Sequence, residues 1–252
     1  MLKGPGRAWE GGRMPTIKLL AVSLALSVLA MPVGAAPIKT PADANGPAQT
    51  EIPPPSGKGR VVIVVSGALG PDYNEDYAER VAKLGYDTIL LKGDDILSPD
   101  KQGGARLQQA IARAQGSSNA LPGKVAVIGI SKGGGGALTY ATKLPDAVSV
   151  VVVYYPGTAF LLKLHANLKS FAGTFKAPVL ALQGAKDTYK NCCLLSTIQT
   201  IASGAKELGL PFDLVVYPNA NHGFIKGANY RAADANDAWK RTTEALKQHL
   251  SE

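Results

Sequence analysis

A serine between glycines is the residue of this chain with the most specific chemical context. The segment Gly129-Ile130-Ser131-Lys132-Gly133 has the pattern G-x-S-x-G, directly follows an apolar run and is followed by three more glycines. A strand that turns abruptly into a helix strains its serine and requires residues without bulk two positions before and two positions after it. The pattern therefore predicts a nucleophilic Ser131, with the helix start directing free N–H groups towards a developing oxyanion.

A nucleophilic serine needs a general base, and the chain has 3 histidines, His165, His222 and His249. His249 falls in the last turn of a terminal helix, where a solvated role or a helix-dipole role is expected. His165 lies between two predicted strands, where we expect surface or lid packing. His222 directly follows a strand, in an irregular loop that Gly223 allows to turn sharply, and it is the predicted base.

The acid that orients the base is expected at the end of another strand. Asp187 follows the penultimate predicted strand and gives the chain order Ser131, Asp187, His222. Asp94 and Asp95, after the second strand, are the competing carboxylates, although turn or capping roles are more usual for such positions.

Two backbone N–H groups are expected to form an oxyanion hole. One belongs to Lys132, directly after the nucleophile, and the other to Ala68, in the loop 67–70 after the first strand. The Lys132 side chain is expected to project into solvent, with steering of anionic substrates as the alternative.

The elements that position these residues are strands and helices in alternation. Continuous β-branched or apolar runs predict strands at 61–66, 88–92, 125–130, 148–154, 179–183 and 213–217, and apolar stripes predict helices at 74–84, 107–114, 133–144, 193–208 and 235–250. This alternation predicts an α/β fold with a mostly parallel sheet and helices on both faces. In such sheets, chemistry lies at the carboxyl ends of the strands.

The first 35 residues have the features of a secretory signal peptide. Lys18 precedes the apolar run Leu19 to Ala30, and small residues permit cleavage after Ala35. Met14 is a second candidate start, which would make the first 13 residues an extension. The run is too short to span a bilayer, so we expect an exported protein, periplasmic or secreted, without a membrane span. We expect a Pro/Gly-rich leader over 36–60 and the α/β domain that carries the site residues over 61–252.

Composition excludes several classes of protein. The 252 residues are 46% hydrophobic and contain 2 cysteines, which excludes wholesale disorder and a disulfide-built miniprotein. The formal charge of +8 comes from singly scattered basic residues, which argues against nucleic-acid binding. No dinucleotide-binding or phosphate-binding glycine motif follows a strand, so we expect no cofactor. No metal site is evident in the sequence, and we expect none. We also expect a monomer.

The two cysteines, Cys192 and Cys193, are adjacent. An eight-membered disulfide ring strains the peptide, and metal ligands are normally separated by other residues, so free or buried thiols are favoured. A vicinal disulfide and intermolecular pairing remain the alternatives in an exported protein.

These motifs resemble the dienelactone hydrolase family of α/β-hydrolases, in its exported branch, from about residue 61 to 250. Besides the segment around Ser131, the matching pieces are 153–157, 178–187, 217–224 and 230–239. The resemblance implies an α/β-hydrolase fold and a triad of Ser131, Asp187 and His222. The family's namesakes use a cysteine nucleophile, where this chain has Ser131, and carry a carboxylate after the first strand, where this chain has Gly67 and Ala68. The resemblance therefore supports the fold and the triad more than it supports a dienelactone substrate.

The sequence thus predicts a serine hydrolase that cleaves small carboxylic esters through an acyl-enzyme. An acyltransferase or a peptidase with the same triad, and an inactive hydrolase-like binding protein, are the alternatives. The segment 159–175 is rich in apolar residues and is expected to form either a lid or part of the core.

Overall fold

The computed structural model describes residues 36–165 and 167–250, together with Met1 and Gly4, and strands alternate with helices along it. The strands are β1 (Ile38–Thr40), β2 (Gln49–Ile52), β3 (Gly59–Val65), β4 (Asp87–Leu91), β5 (Ala120–Ile130), β6 (Val148–Tyr154), β7 (Val179–Gly184) and β8 (Phe212–Tyr217). The helices are α1 (Pro71–Ala82), α2 (Gly93–Ile96), α3 (Gly103–Gln115), α4 (Lys132–Tyr140), α5 (Ala159–Leu164), α6 (Leu168–Ala172), α7 (Leu195–Glu207) and α8 (Ala232–Leu250).

The strands form one sheet in the order β1-β2-β4-β3-β5-β6-β7-β8. All neighbours from β4 to β8 pair in parallel, whereas β1 with β2 and β2 with β4 are antiparallel. Parallel neighbours require crossover connections, which the helices supply. The predicted mostly parallel sheet is confirmed.

Helices cover both faces of this sheet. Alternate residues of β3 point to opposite sides: Val61, Ile63 and Val65 pack with α2 to α7, whereas Val62 and Val64 pack with α1 and α8. Because the central strands β3, β4 and β6 are buried on both sides, each of them reads as a continuous apolar run rather than as an alternating one. Because β4, β3, β5, β6, β7 and β8 pair in parallel, their carboxyl ends share one edge of this packed layer.

The segment 36–60 contributes two strands to the sheet, whereas the sequence indicates only a leader there. β2 pairs with β4, with Gln49 opposite Leu91, and the Glu51 carboxylate accepts hydrogen bonds from Ser117 and Asn119 at 2.6 and 2.7 Å. These strands are short and polar, so they lack the apolar pattern of a buried strand, and pairing with the β4 edge positions them. The sheet thus begins at Ile38. The predicted signal peptide, 1–35, lies outside the described residues.

The other predicted strands and helices appear with their ends shifted by a few residues. The helix predicted over 133–144 is shorter, because α4 ends at Tyr140 and a 3-10 turn, Ala141–Lys143, follows it. Within the described part of the chain, no helix combines the length and the hydropathy needed to cross a membrane.

Candidate active site

Ser131 lies in the turn between β5 and α4. Its backbone has φ 52° and ψ −112°, a left-handed conformation that is costly for a residue with a side chain. A Cβ atom at Gly129 would lie 2.6 Å from the Gly133 oxygen, and one at Gly133 would lie 2.2 Å from the Val65 oxygen. Only glycine therefore fits two positions before and two positions after the serine, as the sequence pattern predicts.

A chain of hydrogen bonds joins the ends of three strands. His222, after β8, has Nε2 3.0 Å from the Ser131 Oγ, and its Nδ1 is 2.8 Å from Oδ2 of Asp187, after β7. The Asp187 side chain is fully buried and that of His222 is 14% exposed. The structure thus brings together the three residues that the sequence predicts, with the imidazole between a hydroxyl and a buried carboxylate. This arrangement allows the imidazole to take a proton from the serine.

The carboxylate that bonds His222 is Asp187, and Asp94 has another partner. The Asp94 side chain forms an ion pair with Lys132, whose ammonium hydrogen bond holds the pKa of Asp94 below its ordinary value. The Lys132 side chain is therefore paired with Asp94, whereas the sequence-based expectation is a side chain that projects into solvent. Asp95 lies in α2, where its carbonyl oxygen accepts a hydrogen bond from Arg106 at 3.2 Å.

Ala68 and Lys132, the residues predicted to donate to an oxyanion, line the same cavity wall as Ser131. Two hydrogen bonds hold the loop that carries Ala68: the Gly67 N–H donates to Asn74 Oδ1 and the Gly70 N–H donates to the Gly67 oxygen, both at 3.1 Å. The Lys132 N–H belongs to the first turn of α4, whose N–H groups are directed towards the serine side of the turn.

Two aromatic rings fix the imidazole, and neither has a role in the sequence-based prediction. Tyr189 stacks on His222 with ring centroids 4.6 Å apart and planes 10° apart, and Tyr155 contacts it edge-on at 4.7 Å. The Tyr189 N–H also donates to Oδ1 of Asp187 at 3.1 Å. Burial raises the pKa of Tyr155 well above its ordinary value, so this ring remains neutral beside the base. Asn229 donates to the His222 carbonyl oxygen at 2.8 Å and holds the loop.

Two cavities meet at Ser131, and Ala68 and Tyr189 also line both of them. The first has a volume of about 180 Å³ and includes His222 together with Leu69, Tyr73, Asn74, Ile130, Tyr155, Lys226 and Asn229. The second has a volume of about 330 Å³ and is more apolar, with Leu97, Pro99, Ala159, Phe160 and Cys192 beside Lys132 and Lys190. The site can therefore hold a molecule with a group on each side of the serine.

The described parts of the apolar segment, 159–165 and 167–175, belong mostly to the core, and their first residues reach the second cavity. Phe160 lines the second cavity, whereas Leu161, Leu168 and Phe171 are buried in the core. His165, at the end of α5, is partly buried and stacks on Phe171 at 4.3 Å, so it has a packing role as predicted, but against the core rather than on the surface or in a lid. His249 lies in the last turn of α8, also as predicted.

Cys192 and Cys193 form a vicinal disulfide, so the favoured prediction of free thiols is wrong. The Cys192 oxygen accepts from the Ala159 N–H at 2.8 Å, and the Cys193 oxygen accepts from Gln183 Nε2 at 2.9 Å. The donors of these two hydrogen bonds are distant in the chain from the cysteines. The sequence around the cysteines therefore gives no sign of these contacts. Both sulfur atoms and a ring nitrogen of His222 lie within 4.8 Å of one another.

The fold and the site geometry together define an α/β-hydrolase: a serine at a strained strand-to-helix turn, a histidine after the last strand and an aspartate after the strand before it. The family model of the dienelactone hydrolase family matches residues 93–250, more than half of the chain. The chain is 30% identical over 228 residues to a protein of Methylorubrum extorquens named carboxymethylenebutenolidase, with 81% of this chain and 77% of that protein covered. The protein belongs to the dienelactone hydrolase family and is a hydrolase.

Solved structures with the same fold include enzymes of more than one kind. A dienelactone hydrolase structure from Klebsiella pneumoniae superposes with a TM-score of 0.70 at 22% identity, covering 85% of this chain and all of that one. The acylaminoacyl peptidase of Pyrococcus horikoshii superposes with a TM-score of 0.67 at 15% identity, covering 87% of this chain and 42% of the peptidase. At these identities the likeness establishes the fold alone.

Proposed function

We propose that this protein is a serine hydrolase that cleaves small carboxylic esters or lactones through a covalent acyl-enzyme. The observation that carries the proposal is the hydrogen-bonded series Ser131, His222 and Asp187 at the junction of two cavities. A serine bonded to an imidazole that is itself oriented by a buried carboxylate is an activated nucleophile.

This geometry supports a reaction in two halves. The Ser131 Oγ attacks the acyl carbon while His222 Nε2 takes its proton, and the N–H groups of Lys132 and Ala68 stabilise the tetrahedral oxyanion. His222 then protonates the leaving alkoxide, so the alcohol departs and the acyl group remains on Ser131. Water attacks the acyl-enzyme, gives its proton to His222, and the acid is released as the proton returns to Ser131. Asp187 stabilises the imidazolium in both halves.

The two cavities indicate the kind of ester. The apolar groups Leu97, Pro99 and Phe160 favour a short aliphatic or aromatic group in the second cavity, and the polar groups Asn74 and Asn229 favour a more polar group in the first. A lactone requires no separate leaving group, because its alkoxide stays joined to the acyl chain. We propose esters rather than peptides as substrates. The peptide alternative is supported by the likeness in fold to the Pyrococcus horikoshii peptidase.

We also propose that the protein is exported after removal of residues 1–35. The signal-like pattern around Leu19 to Ala30 supports this, and a disulfide between Cys192 and Cys193 is compatible with an oxidising compartment. N-terminal sequencing of the protein from a periplasmic extract tests it: a first residue of Ala36 is the expected result, and an intact N-terminus in the cytoplasmic fraction would contradict it.

The test of the hydrolase proposal is turnover of p-nitrophenyl acetate and butyrate beside the matching p-nitroanilides. We expect ester turnover by the parent protein and its loss in Ser131→Ala, with the matched variant Ser196→Ala, at an exposed serine of α7, unaffected. Circular dichroism checks that each variant is folded. A folded Ser131→Ala protein as active as the parent would refute the proposal, and anilide turnover exceeding ester turnover would favour the peptidase.

A further inference from the structure

The Cys192–Cys193 disulfide lies against the predicted base. Its two sulfur atoms and a ring nitrogen of His222 are within 4.8 Å of one another, Cys193 is fully buried, and Cys192 lines the second cavity. A disulfide between sequence neighbours closes almost no chain loop, so it restricts the unfolded state very little. The cross-link therefore contributes little to stability, and its location beside His222 is its distinctive property.

We propose that reduction of this disulfide creates a site for a thiophilic cation of the zinc class, formed by Cys192, Cys193 and His222. Two thiolates and one imidazole are a typical set of zinc ligands, with the fourth position open to water. Donor atoms of this set around a tetrahedral zinc ion lie about 3.6 to 3.8 Å apart, given Zn–S and Zn–N bonds of about 2.3 and 2.1 Å. The three donor atoms already lie within 4.8 Å of one another, and once the S–S bond is broken we expect rotation of the cysteine side chains to bring them to that spacing.

The third donor distinguishes this site from a pair of adjacent thiols. The spacing of the cysteines in the sequence argues against ligation, because two neighbours alone offer an incomplete set. His222 comes from the loop after β8, and the fold brings it to the sulfur atoms. The hydrogen bonds from the Ala159 N–H and the Gln183 amide reach main-chain oxygens of the cysteines, so they do not depend on the S–S bond.

Reduction requires a dithiol of the dithiothreitol class. One reductant thiolate attacks the Cys192 sulfur, which lines a cavity, and the Cys193 sulfur leaves as a thiolate. The second reductant thiol attacks the mixed disulfide and releases the Cys192 thiolate. Two electrons pass to the protein, and the reductant becomes a cyclic disulfide. The cation then binds both thiolates, with release of the protons that the two thiols would otherwise carry.

Occupancy of this site excludes catalysis by His222, and this part of the inference rests on the proposed function. A neutral imidazole has one unprotonated nitrogen, and its two nitrogens bond Ser131 and Asp187. A cation bound through Nε2 removes the acceptor for the serine proton, and one bound through Nδ1 removes the bond to the carboxylate. The reduced protein therefore has two exclusive states, one with zinc and one with a competent base.

The experiment measures zinc bound by the purified, signal-free protein before and after anaerobic reduction by dithiothreitol and desalting. Equilibrium dialysis against zinc chloride gives the stoichiometry, and competition with a chromophoric chelator gives the affinity. We expect one zinc ion per reduced chain, none on the oxidised chain or on the Cys192→Ser/Cys193→Ser variant, and at least about tenfold weaker binding by reduced His222→Ala. Reduced His165→Ala, which lacks a histidine that packs elsewhere, should bind zinc as the parent does.

Turnover is measured separately, as the ratio of the ester rates with and without zinc for each form. We expect this ratio to fall at least about tenfold for the reduced parent, with recovery after a chelator, and to stay near one for the double-cysteine variant. Equal zinc binding by oxidised and reduced chains, unweakened binding by His222→Ala, or loss of the native circular dichroism on reduction would each overturn the site. Zinc binding without ester turnover by any form would refute the proposed function alone.

Discussion

Replacing Asp187 with asparagine tests how the buried carboxylate acts on the base. Its Oδ2 faces His222 Nδ1 at 2.8 Å and its Oδ1 accepts from the Tyr189 N–H at 3.1 Å, so both oxygens are acceptors. Asparagine keeps a single acceptor, and its amide nitrogen must face one of these two groups. Facing Tyr189, it sets two donors against each other. Facing His222, it makes Nδ1 an acceptor and leaves the proton on Nε2, the nitrogen that must take a proton from Ser131.

The expected loss is large because neither orientation retains a negative charge beside the imidazolium. The same change in other triads of this geometry lowers kcat by about 10⁴-fold, and we expect about 10³- to 10⁴-fold here. At about 1.36 kcal/mol for each tenfold change in rate, this corresponds to about 4 to 5.5 kcal/mol of transition-state stabilisation.

The assay is steady-state turnover of p-nitrophenyl acetate near neutral pH, with circular dichroism to check folding. The matched control is Asp94→Asn, because Asp94 is the competing carboxylate and its side chain, 43% exposed, pairs with Lys132. An exposed pair contributes at most about 1 kcal/mol, so this control should lose no more than about fivefold in rate. If folded Asp187→Asn retained a tenth of the parent rate, or Asp94→Asn lost as much as Asp187→Asn, the role assigned to Asp187 would be wrong.

Three further changes test other contacts. Tyr189→Ala removes the ring stacked on His222 at 4.6 Å and should lower kcat/KM about 2- to 10-fold, since such pairs contribute about 0.5 to 1.5 kcal/mol. Gly133→Ala places a Cβ 2.2 Å from the main-chain oxygen of Val65 and should cost about 3 kcal/mol or more in the free energy of unfolding, measured with urea. Burial, chiefly, raises the pKa of Asp87 to about 7, so the free energy of unfolding should fall as pH rises from about 4 to 7, and Asp87→Asn should abolish that fall in urea titrations across this range.

Each of these three predictions has a control variant or a result that would contradict it. Tyr189→Phe retains the ring and should keep most of the rate, so a loss equal to that of Tyr189→Ala would exclude stacking as the cause. Gly116→Ala, whose Cβ has 3.4 Å to its nearest neighbour, should unfold near the parent's urea midpoint, and equal losses at both glycines would argue against the steric reason. For Asp87, the folded carboxyl binds its proton more tightly than the unfolded one, so stability that is constant over this pH range would contradict the raised pKa.

The sequence predicts the central sheet and the three site residues because both depend on local patterns. Buried parallel strands are continuous apolar runs, and Ser131, Asp187 and His222 each follow such a run closely. The topology then brings strand ends together at one edge, so positions in the chain translate into proximity. The glycines near Ser131 strengthen the prediction of a nucleophilic serine. The tight turn leaves no room for a side chain at these positions, and glycines can be read directly from the sequence.

Contacts between distant, irregular segments were not predictable in this way. Tyr189 stacks on His222 from the loop after β7, and no periodicity indicates where a loop side chain points. The strands β1 and β2 are polar and owe their conformation to pairing with β4. Ring strain alone favours free thiols for adjacent cysteines, and the contacts that hold their main chain, from Ala159 and Gln183, come from distant segments.

The most direct test of the proposed nucleophile is the mass of the purified protein after treatment with a fluorophosphonate, followed by peptide mapping of the adduct. We predict one phosphonyl group per chain, attached to the peptide that contains Ser131, and none on Ser131→Ala under the same conditions. A label on another residue, an unchanged label on Ser131→Ala, or a folded parent protein that hydrolyses esters without any label would contradict the assignment of Ser131 as the nucleophile.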